Sequence, residues 1–173
     1  MAEKIDVLLS EEEVMKRVRE LGEQISKDYG DEEILMITIL KGGVFFACEL
    51  AKRVTSPVFM DFMSVSSYSG TTSTGEVKII KDLDQVIEGK NVIVVEDIVD
   101  TGRTLSYLLN MLGNRNPKSL KLCALLDKPD RRVTDVKVDY VGFNIPDEFV
   151  VGLGLDYDQK YRNLPFIGVV KFV

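Results

Sequence analysis

The 173-residue chain contains no histidine and only two cysteines. Without histidine, a Ser-His-Asp triad is excluded, and acid–base chemistry has to come from carboxylates, lysine, tyrosine or the backbone. Cys48 and Cys123 both lie in apolar segments and are not spaced as metal ligands. We therefore interpret them as small core residues of a cytoplasmic protein.

Long apolar runs and excess positive charge are also missing. No stretch reaches the roughly 18 apolar residues of a membrane-spanning helix, and the N-terminus has no signal-peptide pattern. The net charge of −6 argues weakly against a nucleic-acid partner. We therefore expect neither a membrane nor a nucleic-acid partner. The length and the 45% hydrophobic content are ordinary for a single globular domain, which we also expect.

The most informative stretch is residues 92–104, VIVVEDIVDTGRT. Its β-branched run without alternation indicates a strand buried on both faces, as in a parallel sheet, and residues 105–112 then show a helical pattern. A Thr/Gly/Thr turn that opens a helix presents unpaired N–H groups and the positive end of the helix dipole. This turn is therefore predicted to bind a phosphate monoester, with Gly102 leaving room for it. The turn comprises Thr101, Gly102, Arg103 and Thr104.

Three acids adjoin this turn: Glu96, Asp97 and Asp100. Their charge would repel a bare phosphate, so they are better explained by ribose hydroxyls, a divalent cation or a proton to be removed. The alternative is an ordinary strand–helix turn whose acids face water. The ordered strand–loop–helix context favours the functional interpretation.

A second strand, residues 34–40, ends in Lys41-Gly42-Gly43 before a helical pattern at 44–54. Lysine and two glycines at this place predict another anion-binding turn, although a tight strand–helix connection explains them nearly as well. Residues 10–29 carry a capping box and an amphipathic pattern, which predict a helix. Further strands are predicted at 58–65, 77–80, 120–126, 140–144 and 167–172.

Two other features leave alternatives open. Residues 66–75 are almost all small or polar, so they form either a disordered hairpin loop or a lid that orders over ligand. Lys128 follows the strand at 120–126, at the edge where open α/β sheets place ligands, but a plain surface lysine is the simpler explanation.

The acid pair, two aliphatics and Asp-Thr-Gly-Arg-Thr resemble the phosphoribosyl-pyrophosphate (PRPP) motif of type I phosphoribosyltransferases. The other stretches narrow the resemblance, which runs from near Ile5 to the C-terminus, to the bacterial hypoxanthine-guanine group. It implies an α/β fold with a central, mainly parallel sheet flanked by helices. It also implies one domain over 1–173, with a core at about 10–140, a small hood from the N-terminal segment and about 141–173, and a flexible lid at 66–75.

The resemblance implies purine salvage: the 5-phosphoribosyl group passes from PRPP to hypoxanthine or guanine, giving IMP or GMP and pyrophosphate, with Mg²⁺ as cofactor. Asp100 would be the general base, Lys41 and Arg162 would neutralise pyrophosphate, and Ser67 and Tyr68 would belong to the catalytic lid. In the family the Lys-Gly peptide is commonly cis, which here would be the bond from Lys41 to Gly42. The residues implied to bind PRPP are Glu96, Asp97, Asp100, Thr101, Gly102, Arg103, Thr104, Lys41, Gly42 and Gly43.

The resemblance also assigns the base and the metal. Lys128 would read the purine 6-oxo group, Phe149 would stack on the base, and the Val150 backbone would read its edge. The metal ligands implied are Asp156, Glu96 and Asp97, with Asp156 also beside the purine. Glu148 departs from the pattern, since many relatives carry lysine there, and Arg103 stands where several relatives have lysine.

Two other functions share these motifs. One is a pyrimidine-type relative that binds uracil or UMP and regulates RNA. Asp100 and Lys128 favour the purine enzyme over this alternative. The other is a non-catalytic nucleotide sensor.

Relatives are usually homodimers or homotetramers, and we expect one of these states here.

Overall fold

The structure is a computed structural model that describes residues 2–67 and 77–173. Its helices are α1 (Glu11–Tyr29), α2 (Val44–Ala51) and α3 (Arg103–Gly113), with a short 3-10 helix at Pro129–Arg131. Its strands are β1 (Glu3–Leu9), β2 (Ile34–Leu40), β3 (Val58–Ser67), β4 (Val77–Lys81), β5 (Asn91–Val99), β6 (Ser119–Asp127), β7 (Tyr140–Asn144), β8 (Val150–Val151) and β9 (Ile167–Phe172).

Helix α1 begins where its capping box predicts. The Ser10 side chain accepts a hydrogen bond from the Glu13 N–H, and the Glu13 carboxylate accepts one from the Ser10 N–H. These two bonds satisfy donors that a helix start leaves unpaired. The helix ends at Gly30, whose φ of 57° suits glycine.

The larger sheet has six strands in the order β4-β3-β2-β5-β6-β7. All neighbouring pairs are parallel except β3 with β4, which is antiparallel. The predicted α/β architecture with a mainly parallel sheet is confirmed. Since β2, β5 and β6 are adjacent and parallel, the turns that follow them meet at one edge of the sheet.

Helices cover both faces of this sheet. Alternate residues of β2 and β5 face α1 and α2 on one side and α3 on the other, so each face has its own buried cluster. Ile34 and Ile93 belong to the first cluster, and Leu35 and Val92 to the second. This explains why both strands read as continuous apolar runs.

The smaller sheet has three antiparallel strands in the order β1-β9-β8. It joins the N-terminal segment to the C-terminal one. Strand β7 lies in the larger sheet, whereas the strands that follow it in the chain, β8 and β9, lie in the smaller one.

Two sequence interpretations are corrected by α2 and β3. Cys48 is exposed, because Phe46, Ala47 and Leu50 form the buried side of α2, which also ends earlier than predicted; Cys123 is buried as expected. Ser66 and Ser67 pair with β4 as strand residues, so they are not loop residues. The remainder of the expected lid, including Tyr68, lies outside the described residues.

Candidate active site

The phosphate-binding turn predicted at 100–104 lies between β5 and α3. Gly102 is the N-cap of α3 and has a left-handed φ of 83°. Together with Asp100, Thr101 and Thr104 it lines a cavity of about 160 Å³, whose wall also includes Glu96. A helix start, two hydroxyls and two carboxylates therefore surround one small space, as an anion site with a sugar-binding side requires.

The segment after β6 holds this turn in place. The N–H groups of Val133 and Thr134 both donate to the Thr101 carbonyl, at 3.0 and 3.2 Å. Arg132 donates to the Asp100 carbonyl at 3.3 Å and forms an ion pair with Asp127 at the end of β6. Sequence patterns gave no sign of these long-range contacts.

Glu96 and Asp97 are partly buried at the end of β5. Burial and the adjacent charge of Asp97 raise the pKa of Glu96 well above its usual value. Burial also raises the pKa of Asp97, although the Ile98 N–H donates to its carboxylate at 2.7 Å and the charge of Arg162 acts in the opposite direction. Two acids that resist ionisation together suit a site completed by a cation or by hydroxyl donors.

The Lys41-Gly42-Gly43 turn lies beside these acids, because Thr38 of β2 pairs with Val95 of β5. A Cβ on Gly42 would overlap the Asp97 carboxylate, which shows how closely the two turns approach. The cis peptide bond lies between Leu40 and Lys41, one bond before the position that the resemblance implied.

Residues of the C-terminal segment complete this side of the site. Arg162 lies 3.2 Å from the Asp156 carboxylate and donates to the Gly154 carbonyl at 2.6 Å. Gln159, which sequence reasoning missed, accepts hydrogen bonds from both Lys41 and Arg162 at 3.2 Å. The two predicted cations therefore share one amide oxygen, a neutral partner that an anionic ligand can replace, while Arg162 is also held by Asp156 and Gly154.

The predicted purine side contains Lys128 and Phe149. Lys128 is buried, its N–H donates to the Val99 carbonyl at 2.9 Å, and its ammonium lies 3.5 Å from the Asp147 carboxylate. Phe149 is 54% exposed and packs edge-on against Tyr157, with ring centroids 5.7 Å apart. A half-exposed ring leaves a face available for stacking.

Val150 and Asp100, two further residues of the predicted site, are each held by a neighbouring element. Val150 is buried in β8 opposite Val169 of β9. Asp100 forms an ion pair with Arg131, whose Nε lies 3.0 Å from the Asp100 Oδ1. Arg131 was missed because nothing in the sequence brings it to Asp100.

A larger cavity, of about 390 Å³, lies at the opposite edge of the sheet, with Ile34, Phe59 and Asn91 in its wall. The predicted site is at the carboxyl edge, where parallel sheets place their ligands. The charged and glycine-rich turns of that edge, rather than the cavity size, mark the functional side.

The carboxylates fit Mg²⁺, which is commonly bound through one or two carboxylates with water and substrate phosphates as the other ligands. Glu96 with Asp97 supply one such pair, and Asp156 supplies a single carboxylate. Within residues 2–67 and 77–173 no cluster of three or more acids or cysteines could hold a metal alone. The same residues contain no helix with the length and apolar character of a membrane crossing.

Comparison with known proteins agrees with this geometry. A phosphoribosyl transferase domain model matches residues 4–158. The hypoxanthine-guanine phosphoribosyltransferase of Streptococcus thermophilus is 52% identical over 95% of this chain and 92% of its own. The Bacillus subtilis enzyme of that name is 53% identical over the same shares. A crystal structure of a hypoxanthine-guanine phosphoribosyltransferase from Bacillus anthracis superposes with a TM-score of 0.94 at 50% identity, covering 99% of this chain and all of that one. The chain belongs to the phosphoribosyltransferase family.

Proposed function

We propose that this protein is a purine salvage enzyme that transfers the 5-phosphoribosyl group of PRPP to hypoxanthine or guanine, giving IMP or GMP and pyrophosphate. The observation that carries the proposal is that two turns predicted to bind anions, at 41–43 and 100–104, lie beside paired acids at one sheet edge. Relatives with about half of the residues identical carry that enzyme's name.

PRPP would span the two turns. The N–H groups and hydroxyls of residues 101–104 would hold the 5-phosphate, and Glu96 and Asp97 would face the ribose hydroxyls. Lys41 and Arg162 would bind the pyrophosphate, exchanging their shared Gln159 oxygen for phosphate oxygens. A guanidinium fork suits this task because it can contact two oxygens at once.

The base would lie between the turn at 100–104 and the C-terminal segment. Phe149 would stack on it, the Val150 backbone would read its edge, and the Lys128 ammonium would donate to the 6-oxo oxygen. Adenine carries an amino group at that position, which is itself a donor and could not accept a hydrogen bond from the Lys128 ammonium. Asp100 would accept the N7 proton while the bond to N9 forms.

Departure of pyrophosphate leaves positive charge on the ribose, so catalysis depends on neutralising the leaving group and holding the base in line. Mg²⁺, when bound with PRPP at Asp156 and at Glu96 and Asp97, would supply electrostatic neutralisation of the departing pyrophosphate. Ser67, the last residue of β3, would lead into a lid that contains Tyr68 and keeps water, the competing nucleophile, from the ribose. We also propose a cytoplasmic location and a homodimer or homotetramer.

The test is a coupled assay of IMP formation from hypoxanthine, PRPP and magnesium, with guanine, xanthine, adenine and uracil run in parallel. Turnover with hypoxanthine or guanine and little with adenine or uracil is expected. UMP formation would support the pyrimidine-type alternative, and binding of nucleotide without turnover would support a sensor. Either result would overturn the proposal.

A further inference from the structure

Only one of the two carboxylate oxygens of the candidate base Asp100 accepts a hydrogen bond from the described residues. Arg131 donates from its Nε to the Asp100 Oδ1 at 3.0 Å, and within residues 2–67 and 77–173 no other hydrogen bond reaches this carboxylate. The Oδ2 atom is therefore free to accept a proton from a ligand. One oxygen fixed and one free is the arrangement that an oriented general base needs.

Arg131 also lies close to the residue that would read the other purine position. It ends the 3-10 helix that Lys128 caps, and its N–H donates to the Lys128 carbonyl at 3.1 Å. Its NH1 lies 3.8 Å from the Asp147 Oδ2, and the Asp147 Oδ1 lies 3.5 Å from the Lys128 ammonium. The four charges alternate in the order Asp100, Arg131, Asp147, Lys128.

The ends of this chain of charges match two neighbouring atoms of one base. In a 6-oxopurine, N7 and O6 lie side by side on the same edge. The proposed function, on which this inference rests, gives N7 to Asp100 and O6 to Lys128. Both contacts form together only if the distance between the two side chains is held to that of the purine edge.

We infer that Arg131 is a positioning residue, which sets the place of the Asp100 carboxylate relative to Lys128 so that both meet the same purine. The planar guanidinium suits this task because its Nε and NH1 point to different carboxylates in fixed directions. Asp147 is the intermediate member that connects Arg131 to Lys128.

The simpler explanation is a surface ion pair of no consequence. Arg131 and Asp100 have side chains 46% and 45% exposed, and such pairs contribute little to stability. The two explanations differ in their effect on turnover. A surface pair can be removed without changing kcat, whereas a positioning residue cannot.

The experiment compares R131M and R131K with the wild-type protein in the IMP assay. R131M should lower kcat by about 10- to 100-fold, the usual effect of losing a residue that orients a reacting group. The KM for PRPP should change less than about twofold, because other residues hold PRPP. R131K keeps the positive charge but loses the planar guanidinium, so its kcat should lie between those of R131M and the wild-type protein.

R115M is the matched control. Arg115 forms a two-bond ion pair with Asp82, at 2.8 and 2.9 Å, and its side chain is 33% exposed, but it lies outside the candidate site. Its removal takes away an arginine–aspartate pair of similar kind, so thermal stability should change by a similar small amount in R115M and R131M. Only R131M should lose turnover.

The double variant D100N/R131M separates positioning from a general loss of structure. If Arg131 acts through Asp100, the double variant should be no slower than D100N alone. Loss equal to the product of the two single effects would overturn the inference, as would an R131M kcat within about twofold of wild type. A wild-type protein that forms no IMP would instead overturn the proposed function itself.

Discussion

Replacing Gly102 with alanine tests how far the phosphate turn depends on one backbone conformation. Gly102 has a φ of 83°, in the left-handed region that residues with a Cβ rarely adopt. A Cβ there would lie 2.8 Å from the Thr134 carbonyl oxygen and 2.9 Å from the Arg132 Cδ. The first neighbour is backbone and the second belongs to the side chain that braces the turn, so neither yields freely.

The expected loss of stability has two parts. The left-handed conformation costs an L-residue about 1–2 kcal/mol, and steric overlap in a well-packed site costs about 1–3 kcal/mol more. The sum of about 2–5 kcal/mol should lower the Tm by about 4–20 °C for a chain of this length. The turn must also shift, so the KM for PRPP should rise by about tenfold or more.

Gly89→Ala is the control, because Gly89 has a similar φ of 71° but nothing within 4 Å of its added Cβ. Its Tm should fall by only about 2–8 °C, and the KM for PRPP should stay unchanged. Thermal unfolding followed by circular dichroism and steady-state kinetics measure the two effects. Equal Tm losses in both variants, or an unchanged KM for PRPP in Gly102→Ala, would refute the reasoning.

Three further predictions concern charged residues. Asp100→Asn should lower kcat by about 10²–10⁴ with little change in the KM for PRPP, and near-normal turnover would remove Asp100 from the role of base. Burial and the charge of Asp97 raise the pKa of Glu96, so the folded protein loses stability as pH rises from 4.5 through the folded-state pKa. Glu96→Gln avoids this loss, so its Tm advantage over wild type, measured in EDTA, should grow as the pH is raised above 4.5; an advantage independent of pH would contradict it. Arg162→Lys should weaken pyrophosphate binding by about tenfold in calorimetric titrations, because lysine lacks the fork, and an unchanged Kd would argue against this contact.

The strands of the large sheet and the turn at 100–104 could be predicted because their signals are local. A strand buried on both faces has a continuous apolar run, and a glycine before a helix marks a turn whatever the remainder of the chain does. The same holds for α1, whose capping box lies within four residues. In each case a few neighbouring residues decide the structure.

The sequence was less informative where polar and apolar residues did not alternate. All residues of α2 except Glu49 are apolar, so periodicity could not show which face is buried. Cys48 was placed in the core for this reason. The short strand β8 and the N-terminal strand β1 were also missed, since their pairing with β9 depends on segments far apart in sequence.

The contacts that orient the candidate site depend on strand order, which no local pattern encodes. Lys41 and Gln159 are 118 positions apart, and Arg131 reaches Asp100 across 31 positions. Arg131 meets Asp100 because the segments after β5 and β6 share one edge of the sheet. Lys41 meets Gln159 because the segment after β8 packs against the turn after β2. The resemblance supplied the candidate reacting residues, and the structure adds the residues that contact them.

One close approach has a mechanical consequence. A Cβ on Gly154 would overlap the Gly42 carbonyl oxygen, so the C-terminal segment touches the lysine–glycine turn backbone to backbone. No side chain separates them that could rotate to absorb a displacement. Movement of the segment that follows β8 is therefore passed on to the turn where the leaving group would depart. We therefore expect the turn at 41–43 and the segment after β8 to move together.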